Sequence, residues 1–335
     1  MKPRLLVIEL HHLGDAVMAI PFLKAASASY EVSVFCRAPV ADMLGSFVPE
    51  VSLVVAAEGW AGRFRQAAGE LKRLGPAVTV CAWSDARAEV VAWLTGAEKR
   101  VGLPMTNLNF YASNQKWRKR RLWVGRGIEG VSQIFGIKFL TDFLNRDSER
   151  ESHLRNWERV AERLGMGLQT EEPWISVPVR GEKGLWVVHP GGRLATKRWP
   201  VDRFQELLKE IFAAKGWPVL IIDVPGEGSL EPVGPLQRRV TCATHVELAA
   251  ALASAESVLC NDSYPAHLAA ALGKKVFTIF GSGEPAWFSP FGNADRVIQK
   301  DVCPHHPCVD RCVMPSVVCL EAVTVRQVAE LLERG

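Results

Sequence analysis

Apolar residues come along this chain in short runs, and the runs alternate with stretches of helical periodicity. In the first half, residues 4–10, 32–35, 51–55 and 77–82 read as strands, with helices over 16–29 and 61–74. Apolar runs of this length between amphipathic helices imply parallel strands joined by crossover helices. Residues 104–147 break the rhythm and read as a loop-helix excursion. An amphipathic helix over 150–164 follows, with Leu154, Trp157, Val160 and Leu164 at helical spacing. The alternation restarts after Pro173, with strand candidates 185–188, 219–222, 257–260 and 276–280. Helix candidates there are 201–214, 246–253, 266–272 and a closing helix 324–332. The Pro-containing stretch 172–179 is the natural linker, so the pattern predicts two similar α/β domains, 1–172 and 180–335, facing each other across a cleft.

Two stretches of the second half, 185–200 and 259–281, each read as a buried strand, a small polar turn and a helix. Their turns carry groups suited to a phosphate: bare backbone at Gly191 and Gly192, then Lys197, Ser263 and His267. A helix N-terminus adds unpaired N–H groups and the positive end of its dipole. Two such turns suggest one diphosphate gripped from two sides, although two ordinary strand-to-helix turns fit the glycines equally well. Asp15 follows Gly14 at the end of the first strand and the start of a helix. By residue type it fits a helix cap as well as a general base. By the same standard His267 fits a packing histidine, and Lys197 a surface lysine.

A length of 335 residues favours two domains. The first apolar run meets His11, His12 and Asp15 too soon for a signal peptide or a membrane span, and no other stretch approaches about 20 apolar residues. These features point to a cytosolic protein whose eight cysteines are not a disulfide framework. The net charge of +4 is unevenly spread: Lys116, Arg118, Lys119, Arg120, Arg121 and Arg126 crowd around Trp117 and Trp123. Such a segment suits an anionic membrane surface or a phosphorylated ligand; it also reads as a solvated loop. Nucleic acid would account for the basic run but not for the paired phosphate turns, so no nucleic-acid partner is expected. Cys303, Cys308, Cys312 and Cys319 lie close in sequence, with His305 and His306 among them. Structural zinc or iron, disulfides and free thiols all remain open for them, since the spacing is not the Cys-x2-Cys of well-known zinc sites.

Three motifs resemble glycosyltransferase family 9, the lipopolysaccharide heptosyltransferases. His12-Leu13-Gly14-Asp15 with Pro21 resembles the family's N-terminal motif. His189-Pro190-Gly191-Gly192, then Lys197 to Pro200, resembles its first donor-site motif, and Asn261-Asp262-Ser263 with His267 and Phe280-Gly281 its second. The resemblance implies a GT-B fold of two Rossmann-like domains. It also implies an inverting transfer, with no metal needed for catalysis, from a nucleotide-diphosphate sugar, typically ADP-heptose, to an anionic glycolipid acceptor of the lipopolysaccharide core. The enzyme would work in the cytoplasm, in peripheral contact with the cytoplasmic face of the inner membrane, where Lys116, Arg118, Lys119, Arg120 and Arg121 would meet acceptor or lipid. By position Asp15 is the implied base, and Lys197 the lysine that meets the donor diphosphate. Gly14, Gly191, Gly192, Asp262, Ser263 and His267 fall in the substrate-binding motifs, and Glu227 near the family's ribose-binding acid. Two departures stand out: Tyr264-Pro265 replaces a glycine after Ser263, and the usual glycine-rich stretch reads Asp223-Val224-Pro225-Gly226. They leave room for another nucleotide-sugar donor, or for a sugar-nucleotide-binding protein without transfer activity.

Overall fold

The computed structural model describes residues 1–83, 85–103, 137–144, 151–171, 173–223, 229–308 and 312–335. The chain forms two units, Met1–Thr170 and Glu171–Gly335, each built on its own six-stranded sheet.

The first sheet comprises β1 (Arg4–Glu9), β2 (Glu31–Cys36), β3 (Ser52–Val55), β4 (Val78–Cys81), β5 (Lys99–Gly102) and β6 (Asp142–Phe143). All neighbours are parallel, in the order β3-β2-β1-β4-β5-β6. Leu5, Leu6, Val7 and Ile8 are all buried, since helices cover both faces of a parallel sheet and its central strands carry unbroken apolar runs. From β1 the chain builds β2 and β3 on one side, then returns to β1's other side for β4. The carboxyl ends of β1 and β4 therefore flank a topological switch point, where ligands of such sheets bind. Helix His153–Arg163 packs on helix Leu13–Ser29 through Trp157 and Phe22, whose rings stack at 5.2 Å.

The second sheet repeats the plan with β7 (Trp186–His189), β8 (Val219–Asp223), β9 (Gln237–Thr241), β10 (Ser257–Asn261), β11 (Lys275–Ile279) and β12 (Val297–Ile298). Its order, β12-β11-β10-β7-β8-β9, puts the switch point between β7 and β10. These are the two strands that precede the phosphate-type turns. Trp199, Phe204, Phe212 and Phe277 fill the core beneath them.

Some elements depart from the pattern reading. The expected excursion over 104–147 contributes β6, whose Asp142 and Phe143 extend the sheet beside β5; residues 104–136 and 145–147 lie outside the described ones. β5 and β9 carry no apolar run. β9 is an edge strand, and its Arg238 and Arg239 reach Glu182 at 2.7 Å and Glu231 at 2.6 Å in solvent. Trp174 and Ile175 of the linker stretch are buried on the second unit, both donating to the carbonyl of Ala271. Among the described residues no helix is long and apolar enough to cross a membrane.

Candidate functional site

At the switch point of the first unit, Glu9 ends β1 fully buried. Its carboxyl accepts from the backbone N–H of His11 at 3.1 Å and from Trp83 Nε1 at 3.0 Å. Trp83 follows β4, stacks on His11 with centroids 4.5 Å apart, and meets His153 edge-on at 4.1 Å. Burial, and then the charge of Asp15, push the Glu9 carboxyl up to about 8, so it holds a proton at neutral pH.

The helix carrying Asp15 begins at Leu13, three residues earlier than its periodicity predicts. His12 is the N-cap, and Asp15, third in the helix, accepts from the His12 N–H at 3.1 Å. Asp15 thus does have a capping role, as the partner in a capping box rather than as the cap itself. That bond fixes its half-buried carboxylate, with Gly14 beside it, at the carboxyl end of β1.

Three arginines that local sequence does not single out gather near this turn. Arg37 Nη1 lies 3.5 Å from His12 Nδ1. Arg87 grips both oxygens of Asp85, at 2.9 and 2.7 Å, and lies 4.3 Å over the Trp60 ring. Arg63 lies 4.9 Å from the centre of the same ring. Burial first, and then the charges of Arg37 and Arg87, hold the Arg63 guanidinium below its ordinary value. Positions 37, 63 and 87 share no motif; they follow β2, β3 and β4, and the order β3-β2-β1-β4 brings them to one end of the sheet.

In the second unit, Asn261 at the end of β10 ties the two phosphate-type turns together. Its side-chain amide donates to the carbonyls of Pro190 at 2.6 Å and Gly191 at 2.9 Å, and its oxygen accepts from Trp199 N–H at 3.0 Å. Gly192 has φ +152, and a Cβ there would meet Arg198 and Ser263. Ser263 caps helix Tyr264–Ala271 and donates its hydroxyl to the Asn261 carbonyl at 3.1 Å. Lys197 Nζ sits 2.7 Å from Asp262 Oδ2 and 5.3 Å from the centre of the Phe288 ring. So Lys197 is no solvated surface lysine: it is held beside a buried carboxylate at the carboxyl end of β10. His267 is buried close by, and burial lowers it to about 4, keeping its ring neutral. His189, the last residue of β7, is likewise lowered to about 4 by burial.

The structure therefore brings Gly191, Gly192, Lys197, Asp262, Ser263 and His267 together within one unit, while Gly14 and Asp15 belong to the other. Lys116, Arg118, Lys119, Arg120, Arg121 and Glu227 lie outside the described residues. All eight cysteines are thiols outside any disulfide. Cys308 is pushed up to about 11 by burial and then by the nearness of Cys312, Cys303 and Cys319, so the four C-terminal thiols do gather. Among the described residues, however, no group of three or more His, Cys, Asp or Glu side chains is arranged to hold a metal ion.

The family model for glycosyltransferase family 9 (heptosyltransferase) matches residues 87–317, more than half of the chain. No curated protein matches. Among solved structures, the family 9 glycosyltransferase of Veillonella parvula is 17% identical with a TM-score of 0.69, covering 100% of this chain and 97% of that one. ADP-heptose lipopolysaccharide heptosyltransferase II of E. coli is 17% identical with a TM-score of 0.64, over 99% and 98%. E. coli heptosyltransferase WaaC, solved with ADP, is 15% identical with a TM-score of 0.65, over 99% and 97%. The paired parallel sheets are those of the GT-B fold, and the chain belongs to glycosyltransferase family 9.

Proposed function

We propose that this glycosyltransferase moves a heptose, or a similar sugar, from ADP-heptose to an anionic acceptor of the lipopolysaccharide core or a related glycolipid. The observation that carries this reading is the Lys197–Asp262 pair set between two glycine- and serine-bearing turns at the β7/β10 switch point. Lys197 would turn its charge to the donor diphosphate. Backbone at Gly191 and Gly192, with Ser263, would hold the phosphate oxygens, and Glu227 would bind the ribose. In the transfer, the Asp15 carboxylate takes the proton of an acceptor hydroxyl, and that oxygen bonds to the anomeric carbon from the face opposite the diphosphate. The bond to the diphosphate oxygen breaks with its electron pair going to the leaving group, whose charge Lys197 offsets. No step runs through a metal ion. A structural zinc or iron at Cys303, Cys308, Cys312 and Cys319 is a separate proposal, outside the chemistry.

Arg37, Arg63 and Arg87 would bind the acceptor's anionic groups. The segment with Lys116, Arg118, Lys119, Arg120 and Arg121 would add peripheral attachment at the cytoplasmic face of the inner membrane. Tyr264-Pro265 favours a second donor reading, a UDP-hexose for instance, because Pro265 has no N–H to give a phosphate. Thermal stabilisation by ADP, UDP, GDP and CMP separates the two, since a ligand of the folded state raises its stability. ADP is expected to stabilise most; a larger shift with UDP would replace the donor.

A further inference from the structure

The segment that carries the cysteines also reaches the donor side of the second unit. After β11 the chain turns through Gly281, Ser282 and Gly283, and this turn backs both halves of the Lys197–Asp262 pair. The Ser282 N–H donates to the Thr196 carbonyl at 3.3 Å, one residue before Lys197. A Cβ on Gly281 would come within 2.6 Å of that same carbonyl. A Cβ on Gly283 would collide with Asp262 Oδ2. The bare backbone of Gly283 thus packs against the same carboxylate oxygen that meets the Lys197 ammonium.

Two side chains from outside the family motifs fix this turn. Gln299 Nε2 donates to the carbonyls of Gly281 at 3.0 Å and Gly283 at 2.7 Å. His306 Nε2 lies 2.8 Å from the Gly283 carbonyl and 2.9 Å from Gln299 Nε2. Both N–H groups of the Gln299 amide go to the Gly281 and Gly283 carbonyls, so His306 Nε2 carries a proton and donates it to the Gly283 carbonyl, which ties the ring to the turn. The ring is itself seated by a turn in which the His306 N–H donates to the Cys303 carbonyl at 3.2 Å. A chain of direct contacts therefore runs from Cys303 through His306 and Gly283 to Asp262 and Lys197.

We infer that His306 is a positioning residue for the Lys197–Asp262 pair, acting through the Gly283 carbonyl, so that the cysteine-bearing segment sets the grip on the donor diphosphate. This rests on reading Lys197 as the diphosphate ligand.

ADP and adenosine are titrated into the parent, His306→Ala, His306→Gln and Lys197→Ala, and each melting temperature is recorded. His306→Ala is expected to weaken ADP roughly three- to tenfold, the range of one net hydrogen bond. Adenosine affinity and melting temperature should hold, and His306→Gln, which keeps a donor at that reach, should recover most of the ADP affinity. Equal losses for ADP and adenosine would make His306 merely structural and overturn the inference. So would unchanged ADP affinity in His306→Ala while Lys197→Ala loses it, which would leave the diphosphate reading standing. If Lys197→Ala binds ADP like the parent, the diphosphate reading fails and this inference fails with it.

Discussion

At the scale of single residues, the second unit shows how a few side chains turn two strand ends into one anion site. Lys197 and Asp262 stand 2.7 Å apart, and the lysine is the positive member of the pair. Lys197→Ala should weaken nucleoside-diphosphate binding by about 1.5–3 kcal/mol, the range for a hydrogen bond to a charged group, as read by calorimetric titration. Gly283→Ala should weaken it as well, because the added methyl has no room beside Asp262 Oδ2. A Gly283→Ala variant that binds nucleotide like the parent would show that Gly283 does not pack against the carboxylate as described. Lys197, Gly191, Gly192, Asp262 and Ser263 were legible because strand, turn and helix keep them close in sequence. Gly283, Gln299 and His306 were not, since hydrogen bonds to backbone carbonyls across a sheet end leave no local pattern. Glu9 was also missed: nothing in the run 4–10 singles it out, and it is burial, then the charge of Asp15, that makes it hold a proton.

At the scale of elements, strands with apolar runs were legible, the edge strand β3 among them, and strands without such runs were not. β1, β7 and β10 are buried on both faces, so their apolar runs are unbroken. β5, with its Lys-Arg, and β9, with its Gln-Arg-Arg, lack such runs and carry no comparable signal. The same limit hid the Arg37, Arg63 and Arg87 group, whose members follow or lie between different strands. If this group binds the acceptor, Arg63→Gln should raise the acceptor KM several-fold and leave ADP affinity unchanged, with the difference shrinking as salt rises. Replacing Arg118, Lys119, Arg120 and Arg121 with Gln should reduce sedimentation with anionic vesicles at low salt, each charge contributing about 1 kcal/mol near such a surface. For the C-terminal cysteines, elemental analysis of protein purified without added metal tests the structural zinc or iron. About one equivalent would require these thiols to rearrange on binding, and a bound metal would make the segment's stability sensitive to chelators.

At the scale of the whole molecule, buried titratable groups give the two units opposite pH responses. Glu9 keeps its proton up to about 8 when folded, while an unfolded glutamate loses it near 4.5. The first unit's stability should therefore fall as pH rises between those values and level off above them. His189 and His267 take up a proton only near 4 when folded, against 6.5 unfolded. The second unit should therefore lose stability as pH falls from 6.5 toward 4. Calorimetric melting at several pH values tests both slopes, and Glu9→Gln should flatten the alkaline one. Beyond stability, the proposed transfer needs both a base and a diphosphate ligand. Steady-state transfer from ADP-heptose by Asp15→Asn, with ADP affinity measured on the same protein, tests that directly. Asparagine keeps the size of the side chain and its bond to His12 N–H but is far less basic. Turnover is predicted to drop about a hundredfold or more with ADP affinity unchanged; near-normal turnover would contradict the assignment of Asp15 as the base.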